Sequence, residues 1–178
     1  MTTTGHPYAS YPSLVDRTVF VTGGADGIGS AIVRNFARQG SKVAFVDKNA
    51  EYAQRTVEAC VADGAAHAPL FYEVDLVDID ALRAACDAAV RDLGGVTVLV
   101  NNAASDDRHD WRAVTPEYFD DRMHVNLRHY FFAIQALAPQ MMEAGVGSIV
   151  NIGSSCYHMQ EDMFPGYAIA KAAVEGIT

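Results

Sequence analysis

The sequence predicts an α/β protein with a doubly wound parallel sheet, and three observations carry that expectation. Short β-branched and aromatic runs alternate with segments whose apolar residues recur every three or four positions. These runs are apolar nearly throughout, as strands buried on both faces are. The first of them ends in glycines, "TGGADGIG" at 22–29, where a helical pattern begins. Each crossover helix must bury its apolar stripe on the sheet, which stacks the elements in three layers, α/β/α.

Residues 1–12 read as a polar, Pro-containing leader and residues 13–178 as one domain. "TVFVT" (18–22) is the first strand. Ile28, Ile32 and Phe36 then step by four with Ala31 beside them, and Gly40 closes this helix as a C-cap glycine would. "KVAFV" (42–46) is the second strand and 49–63 a helix; "LFYEV" (70–74) is the third and 78–92 a helix; "VTVLV" (96–100) is the fourth. Thr115 is the expected N-cap and Pro116 the first residue of a long helix that reaches about Gly145, with a kink expected at Pro139. "SIVNI" (148–152) is the fifth strand, and 166–178 begins another helix.

A chain of 178 residues, half of them apolar, can bury one sizeable core. Its formal charge of −9 argues against a nucleic acid or an anionic membrane as partner and leaves a small molecule. Cys60, Cys86 and Cys156 are odd in number and lack metal-type or redox-type spacing, and the six His residues form no recognisable ligand pair. No metal is therefore expected, and the thiols read as reduced, in a cytoplasmic protein. The leader lacks the basic start and apolar run of a signal peptide, and no apolar stretch is long enough to span a bilayer.

Gly23, Gly27 and Gly29 allow a tight turn, close approach of a ligand and close packing of helix on strand. The helix N-terminus beyond them offers free N–H groups and a positive dipole end to a pyrophosphate. Asp47 closes the second strand 18 positions after Gly29, where a carboxylate can accept from ribose hydroxyls and repel an additional phosphate. That favours NAD over NADP, while Lys48 beside it pulls the other way. The plainer readings are a ligand-free glycine turn and a helix-start aspartate. In "YAIAK" (167–171), Tyr167 and Lys171 share a helix face. An ammonium about 4 Å from a phenol, at an effective dielectric near 20, supplies about 4 kcal/mol, or about three pKa units. Lys171 is thus expected to bring Tyr167 into range as a base, with burial opposing it; a solvated helix face is the plainer alternative.

Together, "TGGADGIG", Asp75, "NNAA" (101–104), Asn126, Ser154, Tyr167 and Lys171 resemble the short-chain dehydrogenase/reductase family, with Ala104 where the family usually has glycine. The resemblance implies a Rossmann-type fold and a catalytic set of Asn126, Ser154, Tyr167 and Lys171. It places Asp26 and Ile28 with the three glycines, Asp47, Asp75 with Leu76, and Asn101 to Ala103 against the cofactor, NAD. It gives Lys171 the nicotinamide ribose, Asn126 a place in a water chain, and Ser154 the substrate oxygen beside Tyr167. It also implies a homo-oligomer, tetramer or dimer, and a chain that continues past residue 178 into a sixth strand and a substrate-covering loop.

"YPSL", "NNAASDDRHDW", "VNLRHYFF" and "IGSSCYHMQED" are similar to the sugar-oxidising members of that family. Ser105 to His109 after the fourth strand, and Tyr157, His158, Gln160, Glu161 and Asp162 after the fifth, suit a polyhydroxylated substrate. Tyr157 and His158, with Ser154 and Tyr167, are the expected substrate contacts. The expected reaction is oxidation of the anomeric hydroxyl of an aldose such as D-xylose to the lactone. The alternatives are another secondary alcohol or ketone, or a nucleotide-binding scaffold without turnover.

Overall fold

The computed structural model describes residues 9–159 and 163–178, so the leader up to Tyr8 and the expected substrate-side residues Gln160, Glu161 and Asp162 lie outside the described residues. Five strands, β1 Thr18–Thr22, β2 Lys42–Asp47, β3 Leu70–Glu73, β4 Val98–Asn101 and β5 Ser148–Asn151, form one parallel sheet in the order β3-β2-β1-β4-β5. The helices between them are α1 Gly27–Arg38, α2 Ala50–Ala62, α3 Ile79–Leu93, α4 Pro116–Met123, α5 His129–Ala144 and α6 Pro165–Ile177.

Side chains of each strand alternate between two cores, as the twofold period of a strand requires. Phe20, Ala44, Val46 and Leu99 meet Leu82, Ala133 and Leu137 on the face of α3 and α5. Val19, Val21, Val43 and Phe45 meet Val33, Ala37 and Ala53 on the face of α1 and α2. Expected strand positions recur closely; β4 begins at Val98 rather than Val96, whose N–H bonds Gln140 Oε1 (3.3 Å). Asp26, Asn49, Asp78 and Thr115 cap the N-termini of α1, α2, α3 and α4 through their side chains, satisfying N–H groups that a helix start leaves free.

The long helix expected over 115–145 is not one regular helix. Its irregularity falls at a π-helical turn, His124–Arg128, while α5 continues through Pro139 to Ala144 and ends on Gly145 in the left-handed conformation. Such turns add a residue to one coil of a helix. Here the widened coil carries Asn126 inward, fully buried, where its Oδ1 accepts the N–H of Ser105 at 2.7 Å.

The chain winds outward from β1 to β3 and then returns to place β4 on the other side of β1. The loops after β1 and β4 therefore diverge, and a crevice opens at the carboxyl ends of the strands.

Candidate active site

That crevice is a cleft of about 810 Å³, within the range of ligand sites. All the expected cofactor residues except Gly27 and Asn101 line it. At its floor, Gly23 has φ +68°, and a Cβ there would lie 2.8 Å from the Cα of Ala103. A Cβ on Gly29 would lie 1.7 Å from the carbonyl oxygen of Gly23, so strand, turn and α1 pack together only with glycine at both positions.

Two side chains brace this turn. Thr22 Oγ1 accepts the N–H groups of Asn102 (3.0 Å) and Ala103 (3.2 Å), and Asn102 Nδ2 donates to the carbonyls of Thr22 (3.1 Å) and Gly23 (3.0 Å). Asn101, expected on the cofactor wall, lies beneath it instead: it is fully buried and donates to Asn151 Oδ1 at 3.0 Å, joining β4 to β5. A third brace comes from Asp47, which accepts the N–H of Ala25 on one oxygen (3.1 Å) and that of Asn49 on the other (3.0 Å). Asp75 accepts from Val77 N–H at 3.1 Å. Asp26, Asp47 and Asp75 thus put three carboxylates in the cleft wall, with Lys48 beside Asp47. The close-packed glycines at the start of α1 and these acceptors fit a dinucleotide.

Along this cleft, α6 presents Tyr167 and Lys171 on one face, and the loop after β5 brings Ser154 to the same part of it as the Tyr167 phenol. Lys171 is 1% exposed, and its Nζ donates to Tyr130 Oη and to the carbonyl of Ile152, both at 2.7 Å. Burial brings this ammonium down to about 8. Its Nζ lies 5.6 Å from the centre of the Tyr167 ring. The expected lowering of the phenol by Lys171 is not what this cleft produces: burial raises Tyr167 above its ordinary value, and Ser154 opposes that rise. The lysine's hydrogen bonds go to Tyr130 and Ile152 rather than to the phenol.

Asn126 stands behind this group, its Oδ1 engaged by Ser105 and its Nδ2 buried without a partner among the described residues. Tyr157 and His158 turn away from the cleft: the Tyr157 hydroxyl bonds Glu175 on the outer side of α6, and His158 lies 3.6 Å from the same carboxylate. Neither lines the cleft.

Two residues outside the expected set, Tyr130 and His129, are fully buried behind the cleft. Tyr130 passes a hydrogen bond to the Ile152 carbonyl at 3.1 Å while accepting from Lys171, and His129 Nε2 bonds the Ala103 carbonyl at 3.1 Å behind the cleft wall. A signal for Tyr130 existed, since it stands four residues beyond Asn126 and so on the same helix face.

No described helix is long and apolar enough to cross a membrane. The family model for short chain dehydrogenases matches residues 17–178. A protein of Rhizobium meliloti (strain 1021) described as a probable galactose dehydrogenase is 50% identical over 172 residues, covering 97% of this chain and 67% of that protein. The D-xylose 1-dehydrogenase of Caulobacter vibrioides is 42% identical over 170 residues, covering 96% of this chain and 66% of the enzyme. A crystal structure described as a short-chain alcohol dehydrogenase from Sinorhizobium meliloti 1021 superposes with a TM-score of 0.86 at 29% identity, over 92% of this chain and 64% of that one. The chain spans about two thirds of the length of these relatives. With the crevice, its glycine turn and the Ser154, Tyr167 and Lys171 cluster in view, the chain belongs to the short chain dehydrogenase family.

Proposed function

We propose that the protein oxidises a substrate hydroxyl with NAD, and that the substrate is an aldose attacked at its anomeric carbon to give the lactone. One observation carries the reading: the Tyr167 phenol and Ser154 line one dinucleotide-shaped cleft, with Lys171 buried on the same helix as the phenol. The names of the two curated relatives, a galactose and a xylose dehydrogenase, support the sugar.

The cleft residues would hold oxidised NAD, which would supply the hydride acceptor. Tyr167 Oη takes the proton of the substrate hydroxyl, and Ser154 Oγ holds the same oxygen in line by a hydrogen bond. The two hydrogen bonds of Lys171, to Tyr130 and to the Ile152 carbonyl, keep its cation in place below the phenol while the proton moves. Asp47, whose two oxygens each hold one backbone N–H, keeps lone pairs for ribose hydroxyls and disfavours a phosphate there. The three free, buried cysteines support a reducing, cytoplasmic setting. The half-exposed Phe131 on α5 supports self-association through that helix.

A Tyr167→Phe variant tests the assignment. It is expected to bind NAD as the parent does and to lose turnover by a factor of about 10²–10⁴, the usual worth of a placed acid or base. Full turnover of D-xylose or D-galactose by this variant would refute the role given to the phenol.

A further inference from the structure

Ser105 to His109 carry five polar side chains into the space beyond β4, and the fold treats them unequally. Arg122, its side chain 10% exposed, donates to Ser105 Oγ at 3.1 Å and to Asp107 at 2.7 Å. His109 bonds the Tyr118 hydroxyl at 3.0 Å and accepts the N–H of Gly166 at 3.3 Å, one residue before Tyr167. These contacts fasten the loop to α4 and to the start of α6. Asp106 lies between two anchored residues and lines the cleft with Ser154, Ser155 and Tyr167. Among the described residues it takes part in no ion pair.

A carboxylate accepts hydrogen bonds and cannot donate them. Facing a closed-in substrate, it needs hydroxyl donors, and a substrate without them leaves it desolvated and unpaired. Neighbouring hydroxyls on a sugar ring meet that need, and a hydrocarbon does not. We propose that Asp106 selects polyols, its carboxylate oxygens accepting hydrogen bonds from hydroxyls next to the carbon that is oxidised. The inference rests on the hydroxyl-oxidation reading above.

The same charge acts on the base. The groups that face Tyr167 are Asp106 from the loop after β4, Ser154 and Cys156 from the loop after β5, Tyr130 from α5, and Lys171 on its own helix. Burial does most to raise the phenol, and the Asp106 charge adds to the rise. Removing that charge therefore lowers the pH at which Tyr167 ionises.

Steady-state oxidation of D-xylose and D-galactose by the full-length protein with NAD, between about pH 6 and 10, tests both consequences. Asp106→Asn is expected to raise the sugar KM about tenfold, the loss of a charge-assisted hydrogen bond, and to move the rise of kcat to lower pH. Asp106→Glu is expected to return the pH profile and part of the affinity. An Asp106→Asn variant with unchanged KM and profile overturns the assignment and leaves the parent reading intact. A raised KM with an unmoved profile also overturns it, because a disordered loop would do the same. A parent protein that turns over no sugar overturns both.

Discussion

Lys171 carries a charge in a place where water does not reach, and its two hydrogen bonds explain how it stays there. Its pairing with Tyr167 was legible because residues four apart on a helix must share a face. Its true anchors were not, since Tyr130 is brought to it from 41 residues away. The neighbouring His129 makes a sharper test at this scale. Burial depresses its imidazole from 6.5 to about 4. The unfolded chain therefore takes up a proton first as pH falls, and the stability contributed by the neutral ring, complete above pH 6.5, is lost progressively toward pH 4. Over that window the loss is about 3 kcal/mol. A His129→Gln variant cannot titrate but keeps an N–H for the Ala103 carbonyl. Its urea midpoint is expected to fall less than the parent's between pH 6.5 and 4.5; parallel acid limbs would contradict the assignment.

Among the elements, the junction of β1 with α1 shows how a local pattern acquires its purpose. The glycine turn announces itself in sequence because only glycine tolerates the contacts at Gly23 and Gly29. What stiffens it comes from β4, through the Thr22 hydroxyl and the Asn102 amide, and no spacing rule links residues 80 positions apart. Thr22→Val keeps the shape and removes the acceptor of two N–H groups. We expect it to cost about 2 kcal/mol in urea unfolding, the penalty for stranding buried donors, and Thr22→Ser to recover most of it. Equal stability of the Val variant and the parent would show that water replaces the hydroxyl. The π-helical turn teaches a related lesson. Apolar periodicity predicts a long helix over 115–145, but a one-residue expansion at Asn126 preserves that periodicity on either side and leaves no trace in composition.

At the scale of the whole molecule, the carboxylates Asp26, Asp47 and Asp75 in the cleft wall match the chain's overall negative charge, and they bear on which dinucleotide is held. A ligand that binds only the folded state at about 100 times its dissociation constant adds about 2.7 kcal/mol. For a chain of this size that is about 5–10 °C in thermal midpoint. NAD is expected to give that shift and NADP at the same concentration a smaller one, with Asp47→Ser narrowing the difference. Equal shifts from the two dinucleotides with the parent protein would remove Asp47 from its selecting role. The sequence by itself determined the order of strands and helices, the parallel sheet, the glycine turn and the Tyr167 and Lys171 pair, because each is written in contacts between near neighbours or in a short period. Only the tertiary structure decided which side chains the cleft keeps. It anchored Ser105, Asp107 and His109, left Asp106 facing Tyr167, sent Tyr157 and His158 outward to Glu175, and set Tyr130 under Lys171. Those outcomes depend on loops from β4, β5 and α6 meeting in space, and the distance between two loops is a property of the packed core that no local pattern encodes.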